Sequence, residues 1–201
     1  TRGFQCFDEE THTSHSFVTQ PLSGTLSRMG RTRFGDINCG VGQALEAVGD
    51  WWSLMIVRDA FGGACRFGDF EKSLGIAKNI LTTRLDHLVA HGIFEQVDVG
   101  NEGTRFEYRL TDKGEALLPV LVTLREWADE WVFGPGNEPL LMLDRRTGKR
   151  IPKTRVRARD GRPLSRRDLH PVPGPGASQD TIQRIRQVAG DPAPNERTKH
   201  S

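Results

Sequence analysis

Lys78, Asn79, Thr82 and Thr83 fall within six positions of the stretch GIAKNILTTRLDHLVAHG, residues 75–92. Asn can pair with adenine through two hydrogen bonds, Lys can donate to guanine acceptors, and Thr offers thymine a hydroxyl and a methyl. These are residue types suited to reading base edges. The same stretch places Leu81, Leu85, Leu88 and Val89 at i, i+4, i+7 and i+8, an apolar stripe of one helix spanning 77–91, so Asn79, Thr83, Asp86 and Ala90 point the other way. Lys78 and Thr82 flank that polar face near its N-terminal end, where backbone N–H groups and the helix dipole favour a phosphate. Taken alone, the face reads equally well as solvated surface over a helical core.

Other reactive residue types point nowhere as specific. His87 and His91 stand at i, i+4, as zinc ligands on a helix would, but the spacing supplies no third ligand and the glutamate of H-E-x-x-H is missing. A pair of partly exposed surface histidines is the plainer reading. Ser, Asp and His occur without a nucleophile elbow, and neither G-x-G-x-x-G nor a P-loop is present. No enzyme, cofactor or metal is expected. Cys6, Cys39 and Cys65 are an odd number without C-x-x-C spacing, which implies neither a disulfide framework nor a zinc site and suits a reducing compartment. Cys39 lies just before a helix, whose dipole lowers a thiol pKa; it reads either as a reactive thiol or as an idle one.

The elements that must position these groups follow from periodicity. With 201 residues, 36% of them hydrophobic, the chain can bury one ordinary core and still carry appendages. No run approaches the roughly 18 apolar residues of a membrane span, and the first 38 residues lack a signal-peptide core, so a cytoplasmic protein is expected. Residues 1–38, rich in Ser, Thr and Gly, read as a flexible arm, of which 1–28 precede Met29 and fit an upstream extension. Residues 41–48 and 51–61 read as helices, the second capped by Asp50, and 66–74 as a third with Phe67, Phe70 and Leu74 on one face. Gly75 ends it. After the 77–91 helix, 93–99 and 105–110 alternate around Gly100-Asn101-Glu102-Gly103, which predicts a β-hairpin with Phe106, Tyr108 and Leu110 on its apolar side. Thr111 then caps a long helix through Val132. Residues 144–168 hold eleven Lys and Arg against three Asp, a local balance of +8, punctuated by Arg145-Arg146-Thr147-Gly148 and Arg159-Asp160-Gly161. These predict a small basic β-ribbon, which either adds phosphate contacts or packs back on the rest. A linker rich in Pro and Gly, a short helix over 178–189 and a disordered tail complete the chain.

The order of three helices, tight turn, helix, hairpin and helix is that of a winged helix-turn-helix, mainly α with a small β-hairpin (α+β). Cys39, Gly49-Asp50 with Trp52, Arg66-Phe67 with Phe70, Leu74-Gly75-Ile76, Leu81-Thr82-Thr83-Arg84-Leu85, Leu88, Gly92, Glu107-Tyr108-Arg109-Leu110-Thr111, Gly114 and Trp127 keep their order and spacing across five elements. This run resembles the HxlR family of bacterial winged helix-turn-helix regulators. The resemblance implies a homodimeric regulator that binds double-stranded DNA. A sequence-specific repressor rather than an activator is expected, with 39–136 as the DNA-binding and dimerisation domain, 137–177 as ribbon and linker, and 178–201 as helix and disordered tail. It also implies that an oxidant, an electrophile or a small molecule modulates binding, with Cys39 as the candidate redox sensor. Leu117, Leu121, Leu124, Trp127 and Trp131 form a broader apolar surface than one small core needs, which fits a dimer interface. The DNA contacts expected are Lys78, Asn79, Thr82 and Thr83, with Arg66, Arg84 and Arg105 as backbone candidates. Gly40 and Gly103 depart from the prolines common in the family, and the wing's four acids oppose only Arg105 and Arg109. A protein-interaction module on a winged-helix scaffold is the alternative.

Overall fold

A computed structural model describes residues 37–100 and 105–189. The arm with Cys6 and Met29, the turn residues 101–104 and the tail from 190 lie outside the described residues. Among the described residues two compact units emerge, one within Val41–Ala116 and the other holding Asn38–Gly40 with residues 117–189.

In the first unit, α1 (Gly40–Val48) is followed by α2 (Trp51–Phe61), whose start is fixed as expected: Asp50 Oδ1 accepts from Ser53 N at 3.0 Å. Ile56 and Val57 on α2 are fully buried. α3 (Phe67–Leu74) begins where Asp69 Oδ2 accepts from Arg66 N at 2.9 Å. It ends on Gly75 at φ +60°, the left-handed conformation that a side chain disfavours. Ile76, only 4% exposed, pins the short turn to the core before α4 (Lys78–Ala90) begins. Leu81, Leu85 and Leu88 are fully buried, whereas Asn79, Thr83 and Asp86 are exposed, so the two faces of α4 separate as its periodicity predicts.

β1 (Phe94–Asp98) and β2 (Phe106–Leu110) pair antiparallel, in register from Phe94 opposite Leu110 to Asp98 opposite Phe106. Phe70 meets the rings of Phe94 and Tyr108 edge-on, at centroid separations of 6.2 and 6.5 Å, and so joins α3 to both strands. The alternation expected on β2 holds from Tyr108 to Leu110 and fails at Phe106 and Glu107. Phe106 is exposed because it pairs with Asp98 at the outer end of the hairpin, while Glu107 is buried. Two arginines make that burial tolerable: Arg109 Nη2 lies 2.9 Å and Arg66 Nη2 3.6 Å from the Glu107 carboxylate.

The long helix expected from Thr111 to Val132 is broken. Thr111 caps a single turn, α5 (Asp112–Glu115), its Oγ1 accepting from Gly114 N and donating to Gly92 O at 2.6 Å. Gly114 is pressed so closely on the residue before β1 that a Cβ there would clash with the Ile93 carbonyl oxygen. The helix restarts as α6 (Leu118–Ala128), with Pro119 in its first turn, where the missing N–H and the fixed φ cost least. It finishes in a wider turn, Asp129–Phe133.

In the second unit, α6 holds the segment that follows it. Glu126 accepts from Thr154 N at 2.9 Å, Lys153 pairs with Glu130 at 2.9 Å, and Arg125 Nη1 donates to Leu140 O at 3.0 Å. The expected ribbon takes the form of two turns, each closed by one bridge, Leu143 with Arg150 and Arg157 with Pro163. Then come a 3₁₀ turn at Arg166–Asp168 and α7 (Gln179–Ala189). Asn38 clamps the start of α7: its Oδ1 accepts from Ser178 N at 3.0 Å, its Nδ2 donates to Gly176 O, and its carbonyl accepts from Thr181 Oγ1. Nothing in the local sequence pattern signals that clamp, because its partners lie some 140 residues apart.

Candidate nucleic-acid interface

The first two turns of α4 carry the exposed polar face. Lys78 is 76% exposed along its side chain and stands 3.7 Å from Glu71 Oε1. A solvated pair of this kind contributes little, so the ammonium can leave Glu71 for a phosphate or a guanine at small cost. Thr82 Oγ1 donates to Lys78 O and Thr83 Oγ1 to Asn79 O, each at 2.9 Å. Both hydroxyls therefore keep their lone pairs to accept from a base amine, and their methyl groups complete the surface. Ile80, 39% exposed beside Asn79, adds an apolar spot suited to a thymine methyl. It is not among the residues expected from the sequence, although its position one turn before Arg84 already places it off the apolar stripe.

The three arginine candidates are placed differently. Arg84 is only 24% exposed along its side chain and points at Asp50, with Nε 3.3 Å from Oδ1. It ties α4 to the cap of α2, which leaves it poorly placed to reach a duplex. Arg84→Ala is therefore expected to lower stability by about 1–3 kcal/mol, because it leaves the half-buried Asp50 carboxylate without its cation, with only Ser53 still bonded to it. Urea denaturation should register that drop, while the operator-to-random binding ratio of the folded fraction stays put. Arg66 shares Glu107 with Arg109 and stays about half exposed, so it can still turn outward to a phosphate. Arg105 is exposed at the entry of β2, where its backbone N–H donates to Asp98 Oδ1.

His87 and His91 do lie together, ring centroids 4.3 Å apart, but they do structural work. His87 Nε2 stands 3.2 and 3.1 Å from the carbonyls of Glu46 and Ala47, at the end of α1, and Lys113 Nζ donates to His91 O. Among the described residues no group of three or more His, Cys, Asp and Glu converges as a metal site would require. Burial, then His87, then Lys113 push the His91 pKa below its usual 6.5, with Glu46 opposing. A depressed histidine favours the folded state only while neutral. Its contribution is present above pH 6.5 and is lost as the pH falls through the lower folded value. The urea midpoint should accordingly drop more between about pH 7 and 5 for the parent chain than for His91→Asn.

Two further candidates belong to the second unit. Cys39 is exposed immediately before α1, next to the Asn38 clamp. On α6 and its final turn Leu124, Trp127 and Trp131 are 50%, 58% and 71% exposed, Leu117 and Leu121 are half-buried, and no residue of α6 is fully buried. Single exposed apolar residues are ordinary, but a helix with none buried is not.

A helix pair joined by a tight turn, with its second helix presenting a polar face and a two-stranded wing following, defines a winged helix-turn-helix protein. The HxlR-like helix-turn-helix model matches residues 47–134. The HTH-type transcriptional regulator Rv3095 of Mycobacterium tuberculosis is 38% identical over 136 residues, which cover 68% of this chain and 86% of that protein. The chain belongs to the HxlR-like helix-turn-helix family. It is thereby a transcriptional regulator by family and not an enzyme. YvaP of Bacillus subtilis, also an HTH-type transcriptional regulator, is 33% identical over 91 residues, 45% of this chain and 84% of YvaP. The crystal structure of PA1607, a candidate transcription factor, superposes with a TM-score of 0.64 at 46% identity, covering 69% of this chain and 96% of that one. That of PA1374 from Pseudomonas aeruginosa gives 0.54 at 34% identity, over 73% and 99%. No helix among the described residues is long and apolar enough to cross a membrane.

Proposed function

We propose that the chain is a sequence-specific repressor that binds a near-palindromic operator as a homodimer, with α4 in the major groove. The observation that carries this reading is the first two turns of α4, where Lys78, Asn79, Thr82 and Thr83 stand exposed on a helix whose opposite leucines are fully buried. Lys78 and Asn79 reach base edges, the threonines add hydroxyl and methyl contacts, and Arg66 and Arg105 neutralise flanking phosphates. The unburied apolar face of α6 supports the dimer, with Leu117, Leu121, Leu124, Trp127 and Trp131 meeting their two-fold equivalents. Two recognition helices about 34 Å apart then require two half-sites roughly one helical turn apart. Repression needs only occupancy of promoter DNA. Cys39, exposed at the start of α1, is the position at which an oxidant or electrophile would act, with a small-molecule effector as the other source of control.

Selection of bound fragments from random duplex DNA, run with and without a thiol oxidant, tests operator, symmetry and switch together. Enrichment of an inverted repeat is the expected result, and its oxidant sensitivity should vanish in Cys39→Ser. A dimer that enriches no sequence and shows no salt-sensitive DNA affinity would overturn the reading in favour of a protein-interaction module.

A further inference from the structure

Of the eleven cations in segment 144–168, only some are neutralised by the protein itself. Arg150 pairs with Glu138, Lys153 with Glu130 and Arg162 with Asp168. Arg155 and Arg157 donate to the carbonyls of Thr154 and Gly161, which holds them along the backbone. The remaining six, Arg145, Arg146, Lys149, Arg159, Arg166 and Arg167, are exposed, and none has a side-chain partner among the described residues.

The segment's own acids are turned away from them. Asp144 accepts from Arg146 N and Thr147 Oγ1, Asp160 from Arg162 N, and Asp168 from Ser165 N and Ser165 Oγ, so all three carboxylates cap their own turns. These hydrogen bonds hold the Asp144 and Asp168 carboxyls below the usual carboxylate range, which keeps them charged and occupied in place. Apart from Arg162, which Asp168 also pairs, the turns thus fold without neutralising the cations they display. Arg145 and Arg146 sit in the turn closed by Leu143 and Arg150, and Arg159 in the turn closed by Arg157 and Pro163. Arg166 and Arg167 form the 3₁₀ turn after it. Each group of cations is presented on a short, hydrogen-bonded scaffold. A polyanion is the partner this arrangement fits, since a folded protein would offer carboxylates mixed with cations and apolar area.

We propose that these two turns and the 3₁₀ turn form a sequence-independent contact to the phosphate backbone of duplex DNA, additional to the base-reading helix. The inference rests on the reading of the chain as a DNA-binding protein. It assigns to this extension the electrostatic part of the affinity and leaves sequence preference to α4.

The test replaces the six cations by serine in the full chain and, in a second variant, by lysine at the five arginines. Binding is measured against a selected operator fragment and a random duplex over about 50–200 mM salt. The serine variant should bind both duplexes at least tenfold more weakly at about 100 mM salt, with the slope of log affinity against log salt flattened by roughly 3 or more. The operator-to-random ratio should hold within about threefold, and the lysine variant should keep the parent slope. A serine variant whose slope changes by less than about one overturns the proposal, as does a parent chain that prefers single-stranded RNA over duplex DNA through these same residues. If the serine variant shows the slope change but the parent has no operator preference, the repressor reading fails while this contact stands. An intact operator preference with an unchanged slope sinks the contact alone.

Discussion

Replacing Lys78, Asn79 and Thr83 together by alanine is expected to reduce the operator-to-random binding ratio by roughly 10²-fold or more, at about 1–3 kcal/mol for each well-placed interaction with a base. The structure explains why this variant should still fold. All three side chains are exposed, Lys78 meets Glu71 only at 3.7 Å, and the one hydrogen bond that truncating Thr83 removes is to the carbonyl of Asn79 on the same helix. Alanine is also the best helix former, so α4 gains propensity where its polar groups are removed. Equal thermal stability of parent and variant, with competition binding against random duplex, separates this outcome from unfolding. An unchanged ratio would remove α4 from the groove. Lys78→Ala alone distinguishes two roles: a phosphate contact weakens all sequences alike and flattens the salt slope by about one, whereas a guanine contact relaxes one base position.

The second large effect concerns stability. Phe70→Ala is expected to cost about 3–5 kcal/mol, a large share of the roughly 5–15 kcal/mol that holds an ordinary domain together. Phe70 is fully buried and meets both Phe94 and Tyr108 edge-on, so its removal opens a cavity between α3 and both strands of the wing. Urea denaturation should show the midpoint falling sharply. Phe70→Leu, which refills much of the volume but makes neither ring contact, should fall between parent and alanine.

Much of the winged unit is legible in residue order because its signals are local. Asp50 caps α2, Gly75 stops α3 in a left-handed conformation, and the leucine spacing of α4 separates its faces within one helix. Each of these needs only neighbours within about one turn. The long helix expected after Thr111 is interrupted for the opposite reason. Its periodicity is continuous, but Gly114 is packed against the backbone of Ile93, a residue 21 positions earlier, and Pro119 fits only in a first turn. The β2 alternation fails at Glu107 for a partly similar reason: Arg109, two positions on along the strand, pairs with the buried carboxylate, and Arg66, supplied by the start of α3, adds a second cation that only the fold brings there.

By itself the sequence determined where α4 lies, which face of it is polar, and that the segment 144–168 is strongly basic, since composition and period are properties of contiguous residues. Only the tertiary structure decided which charges stay available. It occupied Arg84 with Asp50, shared Arg66 with Glu107, and paired Arg150 with Glu138 and Lys153 with Glu130 while leaving six cations exposed. A charge acts on a partner according to what already neutralises it, and that depends on side chains brought within a few ångströms by the fold.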